Sequence, residues 1–459
     1  GFINEPRLVA LLSQRAEGEV RYYESIGVEF VKVNGQFARR QAAGSTRPRG
    51  VYTQGSAGAL MMARMREQVL ARPGGIRLFD NASLLRLTTG ANGVAGGMVW
   101  DGDRETWLAV KAKAVVLATG GASQLYAHTT QPPTNLGEGY AMALEAGAEL
   151  VDMEFVCFEP TVVRAPAFGR KTVSTTLFKE GGTLRNSNKE AFIDTTVPVT
   201  KDVMSRAMQR EIAEGRGTPD GAVLFDLRGV PADVLEGYHE ITRGLKNLGL
   251  THHNALVPVA PTFHYLCGGV RVDGECRSAV PGLFAAGEAC GGVHGAHRIA
   301  GGAGTDVMVT GAKAGESAAG YALQLASAPP SDAAPKVEAL DALRKVSPEE
   351  AEALRHVREA MEAGAGISRD ANSLQRTLDV IQATWCTVSA QGQAGRTLLL
   401  SQAVAAAALM RTESRGDHYR SDYPARDDLR WFGNVVVTRD GGDLKLAFAP
   451  AGLAVRETA

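Results

Sequence analysis

The chain has 459 residues, of which 44% are hydrophobic and 22% are charged. This length exceeds what one hydrophobic core usually organises, so two or more domains are expected. The 49 Lys and Arg residues balance 50 Asp and Glu residues, and the formal net charge is −1. Such a balance argues against nucleic acid or an anionic membrane surface as the partner. A small molecule or another protein is expected instead.

The five cysteines are scattered and contain no CxxC pair. This pattern argues against a zinc site, an iron–sulfur cluster and a disulfide framework, and it favours a reducing, cytoplasmic location. No apolar run approaches the roughly 20 residues that a membrane helix needs, so no direct transmembrane segment is predicted. We expect no metal site.

The first predicted elements are two helices, "LVALLSQRAEGEVRYYESIG" and "GALMMARMREQVLARPGG", in which apolar residues recur at helical spacing. The chain begins with Gly1 on a segment typical of the middle of a fold, so we expect a fragment. Short strands are predicted in "GIRLFD", "GVAGGMVW" and "TWLAVKAKAVVLATGG". The last contains an apolar run, residues 114–118, typical of a strand buried on both faces of a parallel sheet.

Glycines follow two of the apolar strands directly. Thr119, Gly120 and Gly121 end the first, and Gly287 and Glu288 end the second, in "VPGLFAAGEACGG". Glycines at the carboxyl ends of parallel strands let the backbone approach a nucleotide closely. A tight turn alone would use the same residues, but the repeated design favours a nucleotide site.

The segment between these two strands, about residues 151–263, has mixed polarity and a basic helix, "KDVMSRAMQREIAEG". An insertion between two strands of one sheet indicates a second domain. The second glycine turn leads through "HGAHRIAGGAG" into a predicted helix, "GTDVMVTGAKAGESAAGYAL". A linker is predicted in "ASAPPSDAAPKV". Two helices, "SPEEAEALRHVREAMEAG" and "GRTLLLSQAVAAAALMRTES", and a charged tail follow it.

Four stretches carry a resemblance in chain order: "VVLATGGASQLYAHTTQPPTNLGEGYAMALEAGAELVDMEF", "PTFHYLCGGVRVD", "VPGLFAAGEACGGVHGAHRIAGG" and "ESRGDHYRSDYPARDD". Together they resemble the flavoprotein family of succinate dehydrogenase, fumarate reductase and L-aspartate oxidase. The resemblance implies an α/β fold: a split Rossmann-like FAD-binding domain, an inserted α+β capping domain and a C-terminal helical domain. The GxGxxG turn that opens this family is absent, which implies that the first βαβ unit is missing and the chain is truncated at its N-terminus.

The implied boundaries are 1–150 for the first FAD-binding segment, 151–263 for the capping domain, 264–324 for the second FAD-binding segment and 325–459 for the linker and C-terminal domain. The implied FAD contacts are Thr119, Gly120, Gly121, Gly287, Glu288, His294, Gly301 and Gly302. Glu288 matches the family glutamate that reaches the ribitol or ribose hydroxyls.

The resemblance also implies catalytic residues. His264 and Arg298 stand where the family binds one substrate carboxylate, and the planar arginine fork suits two carboxylate oxygens. Lys201 stands at the place of a proton-donating arginine, and Arg206 keeps a later arginine. A lysine can donate this proton if burial or a nearby cation lowers its pKa. The alternatives are a structural histidine and arginine, and a solvated lysine at a helix start.

Departures from the family pattern surround the same site. Glu159, in "CFEPT", replaces a histidine that binds a second carboxylate, whereas Thr161 is kept as a substrate contact. A carboxylate repels a carboxylate, so Glu159 argues for a cationic or hydrogen-bond-donating group on the substrate. The alternative is that Glu159 turns away and pairs with a neighbour such as Arg164. Phe178 stands in the register of a family arginine.

The first hypothesis is an FAD-dependent oxidoreductase of the fumarate reductase/succinate dehydrogenase type. It would transfer hydride between flavin N5 and a small unsaturated carboxylate. Because this chain offers no cluster ligands, its electrons would pass through an iron–sulfur or other electron-transfer subunit, which could also bring the protein to a membrane. One alternative is L-aspartate oxidase-like amino-acid oxidation, in which Glu159 meets an ammonium group. Another is a catalytically silent flavoprotein or electron-transfer subunit.

Overall fold

The computed structural model describes residues 1–41, 47–72, 74–169, 172–194, 199–332, 340–390 and 392–451. Its helices are α1 (Pro6–Ser25), α2 (Ala57–Leu70), α3 (Glu138–Glu145), α4 (Lys201–Glu211), α5 (Ala232–Glu236), α6 (His239–Asn247), α7 (Gly302–Leu323), α8 (Pro348–Gly364), α9 (Ala371–Thr384), α10 (Gln393–Met410) and α11 (Asp428–Trp431). Its strands are β1 (Lys32–Val33), β2 (Gln36–Phe37), β3 (Arg39–Arg40), β4 (Gly50–Val51), β5 (Ala82–Gly90), β6 (Gly93–Asp101), β7 (Thr106–Lys111), β8 (Val115–Leu117), β9 (Leu150–Val151), β10 (Val156–Val163), β11 (Thr183–Arg185), β12 (Val223–Asp226), β13 (Leu256–Leu266), β14 (Gly269–Arg271), β15 (Leu283–Ala285), β16 (Cys290–Gly291), β17 (Gly433–Asp440) and β18 (Asp443–Pro450).

The two strands that end in glycines are neighbours. β8 and β15 pair in parallel, with Leu117 opposite Ala285. Their carboxyl ends therefore lie side by side, although more than 160 residues separate them along the chain. The expected burial of β8 on both faces is wrong at Val116, which is 37% exposed. Among the described strands only β15 pairs with β8, so the other edge of β8 has no hydrogen-bonded strand beside it.

The segment between these strands folds around an antiparallel sheet with the order β10-β13-β12-β11. Its hydrophobic core is separate from the main one and includes Phe178, Met204, Met208, Phe225 and Val257. β13 runs from this core to the main body, because its last residues pair with β10 near Cys157. We call this part of the molecule the cap.

The remaining sheet has the order β16-β14-β9-β17-β18 and joins distant parts of the chain. Helices α8, α9 and α10 pack on one another beside it, and α10 is buried along most of its length. The predicted helices are confirmed, whereas part of the predicted charged tail forms the β17–β18 hairpin.

Two further sequence predictions need comment. The strand predicted in "GIRLFD" is wrong: residues 76–79 form no strand, and Ile76, Leu78 and Phe79 are each nearly half exposed. Without a neighbouring strand to pair with, β-type residues alone do not form a ladder. The predicted linker is partly described. Residues 326–332 form neither helix nor strand, and residues 333–337 lie outside the described part of the chain.

Candidate active site

A cleft of about 610 Å³ opens at the carboxyl ends of β8 and β15. Both glycine turns line it, and the end of β13 forms a further wall with His264 and Tyr265. This volume falls within the range of small-molecule and cofactor sites. The fold therefore places a ligand-sized cleft where parallel strands commonly bind nucleotides.

The glycines of this cleft are required by geometry. Gly120 and Gly287 have φ angles of 72° and 64°, in the left-handed region that favours glycine. A Cβ added to Gly121 would lie 2.2 Å from Oε1 of Glu288. A side chain at this position would therefore displace the carboxylate of Glu288 from its two donors.

The predicted cofactor residues at helix α7 and β8 differ in their positions. Gly301 is the N-cap of α7 and makes no side-chain cap, so the first amides of the helix depend on other partners. Gly302 opens the helix. Thr119 is exposed and does not line the cleft; its hydroxyl lies against Gly139 of α3.

Glu288 is held by two donors. The Leu266 amide donates to it at 3.0 Å, and Nε2 of Gln131 donates to its two oxygens at 2.7 and 2.9 Å. Burial raises the pKa of Glu288 to about 7, although both hydrogen bonds act in the opposite direction. Nε2 of Gln131 also lies 2.9 Å from the carbonyl oxygen of His264. Gln131 thus ties the two walls of the cleft together.

His264 faces the cleft as a neutral imidazole. Its Nδ1 lies 2.7 Å from the Thr130 hydroxyl. Burial lowers the pKa of His264 to about 4; the charge of Glu159 raises it, and those of Arg298 and Lys201 lower it further. At neutral pH the ring therefore carries no charge, and when the Thr130 hydroxyl donates to Nδ1, the outer nitrogen carries the one ring proton and can donate a hydrogen bond.

Arg298 is a buried cation that forms no ion pair with a carboxylate in the part of the chain that the structure describes. The residue is 5% exposed, and its guanidinium lies 4.6 Å from the centre of the Tyr265 ring. Its Nη1 makes one long contact, 3.4 Å, to the carbonyl of Ile299, and its Nε has no hydrogen-bond partner. No ion pair of Arg298 occurs among the described residues; the charge of Asp417 acts on it, but that carboxylate is paired with His297 at 2.9 Å. A buried charge in this state calls for an anion.

Glu159 and Lys201 form an ion pair with each other. Their side chains are 10% and 13% exposed. Lys201 is the first residue of α4, which directs it from the cap toward β10. Both predicted alternatives are wrong, because Lys201 is largely shielded from solvent and Glu159 pairs with Lys201 instead of Arg164. Neither residue lines the cleft itself, and nor does Arg298, but the charges of all three act on His264, which does line it.

The other predicted residues have different partners. Arg206 pairs with Asp202 at 2.9 Å and lies over the Tyr419 ring, and it is not among the charges that act on His264. Nε2 of His294 lies 3.1 Å from both Asp306 and the Tyr265 hydroxyl, and His294 does not line the cleft. Thr161 donates to the Val173 carbonyl at 2.6 Å.

Sequence reasoning did not single out Thr130, Gln131 or Tyr265. The first two lie in "AHTTQPPTN", shortly after the first glycine turn, and a hydroxyl and an amide at that place were the available signal. Tyr265 follows His264 directly, and only the fold shows that its ring lies under Arg298.

Known proteins share this architecture. The FAD binding domain family matches residues 1–303, and the fumarate reductase flavoprotein C-terminal family matches residues 387–455. The chain belongs to the fumarate reductase family of FAD-binding flavoproteins. It is 34% identical to one of the subunits of the fumarate reductase (CoM/CoB) of Methanothermobacter marburgensis, over 96% of this chain and 84% of that one. It is 35% identical to the L-aspartate oxidase of Caulobacter vibrioides, over 97% and 84%.

Solved structures agree. The FrdA protein of E. coli quinol fumarate reductase superposes with a TM-score of 0.86 at 25% identity, over 100% of this chain and 86% of that chain. Sdh1 of Mycobacterium smegmatis superposes with a TM-score of 0.84 at 28% identity, over 99% and 83%. The predicted family, fold class and cofactor are confirmed. This flavoprotein is an FAD-dependent oxidoreductase of the type that acts on CH–CH bonds.

The described residues fit FAD at this cleft. Glu288 presents a carboxylate to a hydroxylated ligand, and Gly121 leaves room where a Cβ would collide with that carboxylate. Gly120 and Gly287 bring backbone close to the ligand. No helix in the described part of the chain is long and apolar enough to cross a membrane.

Proposed function

We propose that this flavoprotein interconverts a carbon–carbon double bond and single bond next to the carboxylate of a small substrate. The observation that carries the proposal is Arg298, a buried guanidinium that has no ion-pair partner among the described residues and acts on a neutral histidine of an FAD-sized cleft. Its planar fork matches a carboxylate in two parallel hydrogen bonds. A substrate carboxylate would therefore supply the missing anion.

FAD, when bound, accepts or supplies the hydride. In the reductive direction negative charge develops on the substrate carboxylate as it takes on enolate character. Arg298 stabilises that charge through its fork, and His264 adds a hydrogen bond from its outer nitrogen. Thr130 fixes the ring of His264 by its contact with Nδ1. Such stabilisation is most effective when the groups are already oriented before the reaction begins, as they are here.

Lys201 is the proposed proton carrier. Reduction of the double bond adds one hydride and one proton, so the protein must provide an acid near the substrate. The Lys201 ammonium acts on His264 and is largely shielded from water. Its partner Glu159 holds it in place. In the oxidative direction the neutral lysine would accept the proton.

We further propose a separate electron-transfer partner. The described residues contain no group of His, Cys, Asp or Glu side chains arranged to hold a metal ion, so electrons would enter or leave through another protein. An iron–sulfur or other electron-transfer subunit suits this role. The M. smegmatis Sdh1 relative was solved as a complex, which supports the same arrangement here.

Anaerobic reoxidation tests the proposal. The flavin of the FAD-loaded protein is reduced, crotonate is added, and absorbance is followed near about 450 nm, a flavin band. We expect reoxidation with formation of butyrate. Lys201→Met should slow it by about 10²–10⁴-fold, whereas Lys246→Met, an exposed lysine on α6, should not change it. Silence of the unaltered protein with every unsaturated carboxylate would overturn the proposal and favour a silent flavoprotein.

A further inference from the structure

The charges around His264 leave room for one negative charge. In the described part of the chain three charged side chains act on this histidine: Arg298, Lys201 and Glu159. Lys201 and Glu159 neutralise each other, and Asp417, whose charge also acts on Arg298, is paired with His297, so Arg298 has no ion-pair partner of its own among the described residues. A ligand with a single carboxylate would balance the site. A second carboxylate would remain buried without a partner, and buried unpaired charges are strongly disfavoured.

The Glu159–Lys201 ion pair, which we call the closed pair, also offers one hydrogen-bond acceptor. Lys201 donates to Oε2 of Glu159. The nearest donor to Oε1 in the described residues is the Thr161 hydroxyl, at 3.5 Å. That hydroxyl carries one proton, and it donates it to the Val173 carbonyl at 2.6 Å. Oε1 of Glu159 is therefore a largely shielded carboxylate oxygen without a strong donor.

From these two observations we propose the substrate class of the site, on the basis of the function proposed above. The substrate is an α,β-unsaturated monocarboxylate whose far end carries an uncharged N–H or O–H donor, such as a carboxamide or an azole. Arg298 binds its carboxylate. Oε1 of Glu159 accepts the hydrogen bond from its far end, and Lys201 stays paired as the proton carrier.

An amino dicarboxylate such as aspartate has the same net charge but makes a different demand on the protein. Its ammonium would have to pair with Glu159, and its second carboxylate would have to pair with Lys201. Both partners of the closed pair would then have to separate. A monocarboxylate with a neutral donor leaves the pair intact, so the observed contacts favour it.

Three acids with the same carbon skeleton test the proposal: fumarate, its monomethyl ester and its monoamide. The ester removes the second charge, and the amide removes it and adds an N–H donor. In anaerobic reoxidation of the FAD-loaded protein we expect the monoamide to exceed fumarate in kcat/KM by about 100-fold, since like charges brought together cost several kcal/mol. The ester should fall between them because it lacks the donor.

Glu159→Gln checks the cause of this preference. It leaves Lys201 without its carboxylate partner, so fumarate should gain and the monoamide-to-fumarate ratio should fall at least about 10-fold. Glu211→Gln is the matched control: it neutralises the buried carboxylate of Glu211 on α4, which pairs with the partly exposed Arg216. Glu211 is not among the charges that act on His264, so the ratio should stay unchanged.

Each outcome separates the two proposals. Crotonate reacting while fumarate outperforms its monoamide would overturn the substrate class and leave the proposed function standing. Oxidation of L-aspartate by the oxidised protein, faster than reduction of the monoamide by the reduced protein, would also overturn it. Silence with all the acids, crotonate included, would overturn both. The substrate class would be supported by kcat/KM values that rise from fumarate through the ester to the monoamide, together with a monoamide-to-fumarate ratio that falls in Glu159→Gln and not in Glu211→Gln.

Discussion

Replacing Arg298 by methionine should separate substrate binding from stability. Methionine keeps the length and apolar character of the side chain but removes the charge. Two charge-assisted hydrogen bonds to a carboxylate contribute about 1.5–3 kcal/mol each, so their loss should lower kcat/KM by about 10²–10⁴-fold at 1.4 kcal/mol per tenfold. In the unliganded protein the expected change is small. The lost contact with the Tyr265 ring, about 0.5–2 kcal/mol, is offset by relief from burying an unpaired cation.

The assay compares the thermal midpoint of the protein without substrate and its rate of anaerobic reoxidation. Arg411→Met is the contrast, because Arg411 is fully buried and paired with Glu154 and Glu413. Removing it should destabilise the fold by about 3–5 kcal/mol. Arg298→Met should keep its midpoint within about 2 °C of the unaltered protein, a shift worth about 1 kcal/mol or less. An Arg298→Met protein that melts early but keeps its activity would show that Arg298 braces the loop instead of binding substrate.

Three further predictions concern the cleft. Burial lowers the pKa of His264 to about 4, so as the pH falls the unfolded chain binds the proton before the folded protein does. The free energy of unfolding is therefore highest above the ordinary histidine pKa of about 6.5 and falls by up to about 3 kcal/mol toward pH 4. His264→Asn should remove this loss from thermal melts. Burial raises the pKa of Glu288 to about 7, so its contribution to stability is complete below the ordinary glutamate pKa and is lost as the pH rises through 7. The Glu288→Gln protein should therefore melt at a higher temperature than the unaltered protein at about pH 8, and at the same temperature near pH 4. Gly121→Ala should weaken FAD binding at least about 10-fold in a fluorescence titration, because its Cβ would meet Glu288, whereas Gly58→Ala on α2 has open space and should bind FAD normally.

The sequence was most informative where chemistry and local pattern coincide. Glycines after apolar strands predicted the cleft, and β8 and β15 do pair there in parallel. The helices followed from their spacing of apolar residues. The wrong strand at residues 76–79 shows the limit of such patterns, since alternation does not reveal whether a partner strand is present.

The contacts within the site could not be predicted in the same way. Glu159 lies on β10 and Lys201 on α4, and an ion pair between them depends on how the cap helix packs on the sheet. The sequence suggested a repulsive Glu159 and an acidic role for Lys201, each considered separately. Their pairing changes both expectations, because Glu159 is already neutralised. The predicted domain boundaries and the roles of the site residues remain predictions for the experiments above.

The most direct test of the account is the binding of a carboxylate and its neutral isostere to the oxidised, FAD-loaded protein. Crotonate and crotonamide differ by one charge, and oxidised FAD has no hydride with which to reduce them, so a flavin difference spectrum reports binding alone. A buried guanidinium without an ion-pair partner among the described residues predicts that crotonate binds at least about 100-fold more tightly than crotonamide, the equivalent of two lost charge-assisted hydrogen bonds. Equal affinity for the two ligands would contradict the claim that Arg298 binds a substrate carboxylate.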